Sequence, residues 1–227
     1  MIKKIHIQEK KTMNGKYKQF TAMAALVALL GLGYSTHAAA AMADHGAMSS
    51  DLRTGLNSLF REHIFLAAAA TGAALGGRDA EFKAAAGSLD ANSVDISKAI
   101  GTVYGAGAEQ AFLPLWRKHI GFVVDYTVGV ATKDQAKQNK AVSDLVQYTQ
   151  DFGAFLSSAN PYLPKEVVAG LVKDHVLTLK DVIDAQATGD MNKSYMTIRT
   201  AAGHMGLIAD PLAAAIAKQF PERFAQR

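Results

Sequence analysis

Three segments decide the fold: Leu56-Asn-Ser-Leu-Phe-Arg-Glu-His63, Phe112-Leu-Pro-Leu-Trp-Arg-Lys-His119 and Val168-Ala-Gly-Leu-Val-Lys-Asp-His175. Their terminal histidines are spaced by 56 residues each time. Other columns agree on that period. Leu59, Leu115 and Leu171 precede the histidines by four, and Phe60, Trp116 and Val172 by three. Arg61, Arg117 and Lys173 precede them by two; Ile64, Ile120 and Val176 follow by one. Asp79, Asp134 and Asp190 then recur at offsets 16, 15 and 15. Agreement over so many columns is the mark of an internal repeat.

Each unit reads as two helices. Around His119 the apolar stripe is Phe112, Leu115, Trp116, Val123 and Tyr126, the spacing of one helical face. Gly76-Gly77, Lys133 and Gly189 end the first helices, and Asp or Gly nearby suits a cap. Returning helices are predicted over about 80–104, 135–158 and 191–219, the first with a break near Asp90-Ala-Asn-Ser93. Each stops at a breaker: Tyr104-Gly105, Asn160-Pro161 or Phe220-Pro221. Strand-like alternation is absent. The reading is an all-α bundle of three tandem antiparallel hairpins, about 51–105, 108–160 and 164–221, within one domain spanning 51–224.

All three repeat histidines lie inside apolar stripes. Asp95 and Asp151 follow His63 and His119 by 32 residues, and Asp210 follows His175 by 35. His204 shares the last helix with Asp210. In an antiparallel hairpin, His119 and Asp151 stand within about four residues, or roughly 6 Å, of equal height. Each His is therefore expected to face the Asp of its own hairpin. His63, His119, His175, His204, Asp95, Asp151 and Asp210 form the candidate metal set. Neutral imidazole binds copper, zinc or iron, and carboxylate either ligates or orients the ring. Two other readings stand beside it. Buried His–Asp pairs can simply fix helix packing, or they can serve a metal-dependent hydrolase. An open row of hairpins would keep the histidines apart. Closure about a pseudo-threefold axis would converge them. Met205 is a further soft donor beside His204, although Met on a helix is commonly core.

Composition narrows the classes. The 227 residues are 49% apolar and 19% charged, which argues for a packed core over disorder. The chain has no cysteine, so thiolate sites, disulfides and a cysteine nucleophile are excluded. The net charge of +4 comes from residues 1–43, which carry six lysines and one acid. Without them 18 basic face 19 acidic side chains, so no nucleic-acid partner is expected. Those residues have the layout of a signal peptide: lysines, the apolar run Ala22–Gly33, then small residues with Ala-x-Ala sites ending at Ala40, Ala41 or Ala43. The run is shorter than the roughly 20 residues that span a bilayer. The expectation is a periplasmic or secreted protein, with membrane contact only through an uncleaved signal anchor. Residues 44–50 read as a flexible tail. Met42, His45 and Met48 resemble a loose copper-binding tail, and cleavage after Met42 would create an amino-terminal Ala43-Asp44-His45 site. No Gly-rich phosphate loop, His-Glu-x-x-His or Gly-x-Ser-x-Gly is present, so no nucleotide is expected.

Several stretches carry a resemblance: Leu115-Trp-Arg-Lys-His119, Asp95-Ile-Ser-Lys-Ala, Tyr104-Gly105, Asn160-Pro-Tyr162, Asp174-His175, His204-Met205 through Asp210, and Lys218-Gln-Phe-Pro221. Over Leu52–Phe224 the chain resembles a family of small exported bacterial helical proteins, largely uncharacterised, some labelled acetylglutamate kinase. That label is at odds with the residues, which lack a phosphate loop and an α/β pattern. The resemblance implies that the six repeat His and Asp residues belong to a shared pattern; it implies no metal. The chain departs from the family at Phe60, where Trp is frequent. The leading reading is a non-enzymatic binder of a transition metal. The alternative is a structural or interaction module with a protein partner.

Overall fold

A computed structural model describes the backbone of residues 49–224 and the side chains of 51–224. The expected signal peptide and the Met42/His45 tail lie outside the described residues. Those described are all-helical: α1 (Ser49–Leu75), α2 (Asp79–Tyr104), α3 (Ala106–Thr132), α4 (Gln135–Ala159), α5 (Lys165–Thr188), α6 (Met191–Gln219) and the short α7 (Pro221–Phe224). None is long and apolar enough to cross a membrane.

The boundaries follow local chemistry. Asp134 and Asp190 cap α4 and α6, their side chains accepting from the Lys137 and Lys193 backbone N–H at 3.0 and 2.9 Å. At the start of α2 the cap is Arg78, which makes no such bond, and Asp79 lies within the first turn. Lys133 (φ 57°) and Gly189 (φ 76°) end α3 and α5 in the left-handed conformation. The expected break in α2 does not occur, because Asp90 and Asn92 find partners on neighbouring helices. Asn92 Nδ2 donates to the Leu59 carbonyl at 3.0 Å and to Glu62 at 2.8 Å. Ser93 Oγ bonds the Leu89 carbonyl one turn back. Asp90 takes a two-pronged bond from Arg117 on α3 at 2.7 and 2.8 Å.

Each helix packs on its chain neighbours, and α6 returns to α1, so the six long helices close into a ring. Inside it α1, α3 and α5 also touch one another. The core is nearly continuous, built from Leu56, Phe60, Ile96, Phe112, Trp116, Tyr148, Phe152, Leu179, Met205 and Ile216 among others. A smaller cluster around Phe82 and Val124 fills one end.

Gly153 sets the close approach of α4 to α5. A Cβ there would stand 2.6 Å from the Lys165 carbonyl oxygen and 3.2 Å from the Ala169 Cβ. Alanine in a helix ordinarily gains about 0.5–1 kcal/mol over glycine. Here the backbone contact reverses the sign, and Gly153→Ala is expected to lose about 1–3 kcal/mol. The change is read from the urea midpoint at constant slope. A midpoint at or above wild type would show that the two helices can move apart freely.

Candidate metal centre

The three inner helices each bring one histidine to the middle of the ring. On α1, His63 sits in the buried stripe of Leu56, Phe60, Ile64 and Ala67. On α3, His119 lies between Trp116 and Val123; on α5, His175 lies between Val172 and Leu179. Each is a helical turn from large apolar neighbours, so burying the stripe buries the imidazole. Their exposures are 1%, 1% and 3%.

The rings converge. His63 Nε2 and His119 Nε2 are 3.4 Å apart. One ligand nitrogen from each of the three lies within 4.8 Å of the other two. Two imidazoles on one metal, with bonds of about 2.0–2.1 Å, place their nitrogens about 3.3–3.6 Å apart at angles from tetrahedral to trigonal. The His63–His119 pair already has that spacing. His63, His119 and His175 thus form a buried group that could hold a metal ion.

Aromatic rings wall the group. Trp116 meets His63 and His119 edge-on at centroid distances of 5.1 and 4.7 Å. Phe60 and Phe112 stack on Trp116, and Tyr148 covers His119 at 5.1 Å. Phe112 and Trp116 belong to the apolar stripe read from the sequence, and they are core. What sequence did not signal is that Tyr148 Oη and Trp116 Nε1 are buried without a hydrogen-bond partner. The same is true of His63 Nδ1, His119 Nδ1 and both ring nitrogens of His175. Native cores rarely leave such atoms unpaired, and each costs about 1–3 kcal/mol.

The expected carboxylates are elsewhere, which corrects the His–Asp pairing. Asp95 pairs with Lys98 at 3.4 Å. Asp151 faces Lys118 at 3.6 Å and accepts from Gln147 at 3.0 Å. Asp210 accepts from Asn57 at 2.8 Å and lies 3.6 Å from Arg53. All three are at the surface. Similar height along a hairpin did not mean a shared face: α2 turns Ser93, Ile96, Ser97 and Ile100 inward and leaves Asp95 outside. His204 is half-buried on α6, where its Nδ1 meets Thr178 Oγ1 at 3.2 Å. It stands outside the converging trio. Met205, its neighbour, is buried and lines an apolar cavity of about 20 Å³ together with His119 and His175. A second cavity of the same size adjoins His63 and His119.

The chain matches no protein-family model, no curated protein and no solved structure.

Burial keeps the whole group uncharged. It holds His63 well below its ordinary range, helped by His119 and His175. It lowers His119 to about 3, with His175 adding to the shift and the Trp116 carbonyl one turn back opposing it. It lowers His175 to about 4, with His204 adding. Burial also pushes the Tyr148 phenol up, so that it stays protonated.

This fixes an acid response for the metal-free protein. In the unfolded chain each imidazole titrates near 6.5. Below that pH the unfolded state takes up protons that the folded state refuses, so stability falls as pH falls. Three such groups remove up to about 4 kcal/mol per pH unit, or about 6 kcal/mol by pH 5. Circular dichroism with urea titration from pH 7.5 to 4 should show this loss. His119→Gln should shrink the slope by roughly one proton. A stability flat across that interval would mean the imidazoles accept protons in place.

Proposed function

We propose that this chain is an exported binding protein for a transition metal, which His63, His119 and His175 hold in the bundle interior. One observation carries the reading: three neutral imidazoles meet in an apolar interior, two of them at metal-ligand spacing, with their other nitrogens unpaired. A packing role for these histidines predicts the opposite, since structural polar groups in a core are hydrogen-bonded. A hydrolytic role calls for an open ligand position beside a cleft. The cavities bordering the triad are about 20 Å³ each, too small for a substrate.

The reading carries the rest of the sequence analysis with it. Export rests on the lysine-rich leader and its Ala-x-Ala sites. The chain is taken as three hairpin units of about 56 residues closed into a ring, akin to the exported helical family that its motifs resemble. A polar clasp supports the units' equivalence. Asn160 donates to Tyr104 Oη, which donates to Gln219 Oε1, both at 2.9 Å, joining the ends of the three returning helices. Tyr104 and Asn160 are 56 residues apart, and Gln219 follows with the same three-residue slip that separates Asp210 from the period.

The test is elemental analysis of the full chain, purified without a polyhistidine tag after challenge with copper, zinc and iron. One ion per chain is expected. His119→Gln and His175→Gln should weaken binding at least about tenfold, while His45→Ala, Asp95→Asn and Asp151→Asn leave it unchanged. A folded wild type that takes none of the three metals would overturn the proposal, as would full loading of His119→Gln.

A further inference from the structure

We infer that the triad is built for monovalent copper, Cu(I), held by three neutral imidazoles in a near-trigonal array. This rests on the metal-binding reading above and goes further, to the charge and oxidation state of the ion.

Charge is the first argument. Among the described residues no carboxylate joins the triad, and Asp95, Asp151 and Asp210 all engage cationic side chains at the surface. The electrostatic cost of burying an ion grows with the square of its charge, so a divalent ion costs about four times a monovalent one. Nothing anionic in the wall offsets that difference.

The surroundings of the ligands argue the same way. Histidines on divalent metals commonly donate their other N–H to a carboxylate, carbonyl or water, which raises their basicity. Here no protein group meets Nδ1 of His63 or His175, and His119 has only the uncharged Trp116 carbonyl one turn back. Unassisted imidazoles suit a weakly charged, polarisable ion better than a hard one. The groups nearest the triad are soft as well. The Met205 thioether lines the cavity shared by His119 and His175, and the rings of Trp116 and Tyr148 stabilise positive charge without supplying a negative one.

Coordination number is the third argument. A divalent zinc ion on three histidines takes a fourth ligand, typically water or hydroxide. Such a ligand needs hydrogen-bond partners of its own. The two cavities that touch the triad present apolar surface; of the hydroxyl residues lining them, Thr71 is bonded to Gln186 and Tyr148 alone has no partner. Cu(I) is satisfied by three donors and asks nothing of these cavities.

The experiment uses the full chain carrying His45→Ala, so that the tail cannot contribute. Affinities for Cu(I), Cu(II) and Zn(II) are measured by competition with chromophoric chelators, the Cu(I) arm under strict exclusion of oxygen. The expected result is one Cu(I) per chain, silent in electron paramagnetic resonance, held at least about 100-fold more tightly than either divalent ion. Ag(I) should displace it. Tyr148→Phe should leave the Cu(I) affinity within about twofold, because no bound water depends on the phenol. Zn(II) or Cu(II) held as tightly as Cu(I) would overturn the inference while leaving the metal-binding reading intact. So would a tenfold loss in Tyr148→Phe, with circular dichroism showing that variant folded. Failure to take any of these ions would overturn the inference, and failure to take iron as well would overturn the metal-binding reading.

Discussion

The arrangement of this bundle turns on three imidazoles that meet in an apolar interior with four of their six ring nitrogens unpaired. A ring of six helices needs its inner faces filled, and α1, α3 and α5 fill them with aliphatic and aromatic side chains except at His63, His119 and His175. Six nitrogen and oxygen atoms around that point lack a hydrogen bond. At about 1–3 kcal/mol each, their combined cost is comparable to the 5–15 kcal/mol by which a domain is ordinarily stable. The fold tolerates this only because the rest of the core is large. Phe60, Phe112, Trp116, Tyr148 and Phe152 pack around the site in one aromatic cluster. Burial then dictates electrostatics: the imidazoles are neutral at any pH near 7.

Closure of the ring is secured away from that centre. Thr71 on α1 donates to Gln186 on α5, whose amide returns to the Ala68 carbonyl, both at 2.8 Å. The Arg117–Asp90 pair joins α3 to α2 in the geometry that guanidinium and carboxylate share. Tyr104, Asn160 and Gln219 fasten one end, and Arg223 on α7 caps the Val103 carbonyl beside them at 2.8 Å. These contacts set the heights of the helices, hence the heights of the three histidines. Polar fastening at the periphery leaves the central ring nitrogens uncommitted.

Much of this was legible in the sequence, and the misses have definite causes. Apolar periodicity placed the helices because burial on one face imposes it. The 56-residue spacing picked out His63, His119 and His175, and all three lie buried in the apolar stripes of their helices. Their convergence was not legible, because row and ring bury the same stripes. Asp95 and Asp151 were misplaced because residue counting measures height along a helix and says little of rotation about it. The predicted break at Asp90–Ser93 failed for a related reason. Asn, Asp and Ser interrupt helices when they bond their own backbone, whereas Asn92 and Asp90 bond neighbouring helices. Nothing local to Tyr148 could announce an unpaired hydroxyl, which depends on what four other helices leave out.

Many small metal domains are assembled by their ion: the ligands lie in loops, and the chain is unfolded without it. This bundle would work the other way. Its candidate ligands stand on long helices with an extensive core, and two of the three nitrogens already have coordination spacing. Ligands fixed in place lose little entropy on binding, and neutral imidazoles have no proton to shed. Selectivity must then come from what the walls supply to the ion's charge. A site with abundant carboxylates accepts a divalent cation readily. An apolar site of rings, a thioether and three neutral nitrogens would offer coordination without charge compensation, and the ion that would lose least there is the one with the least charge to bury.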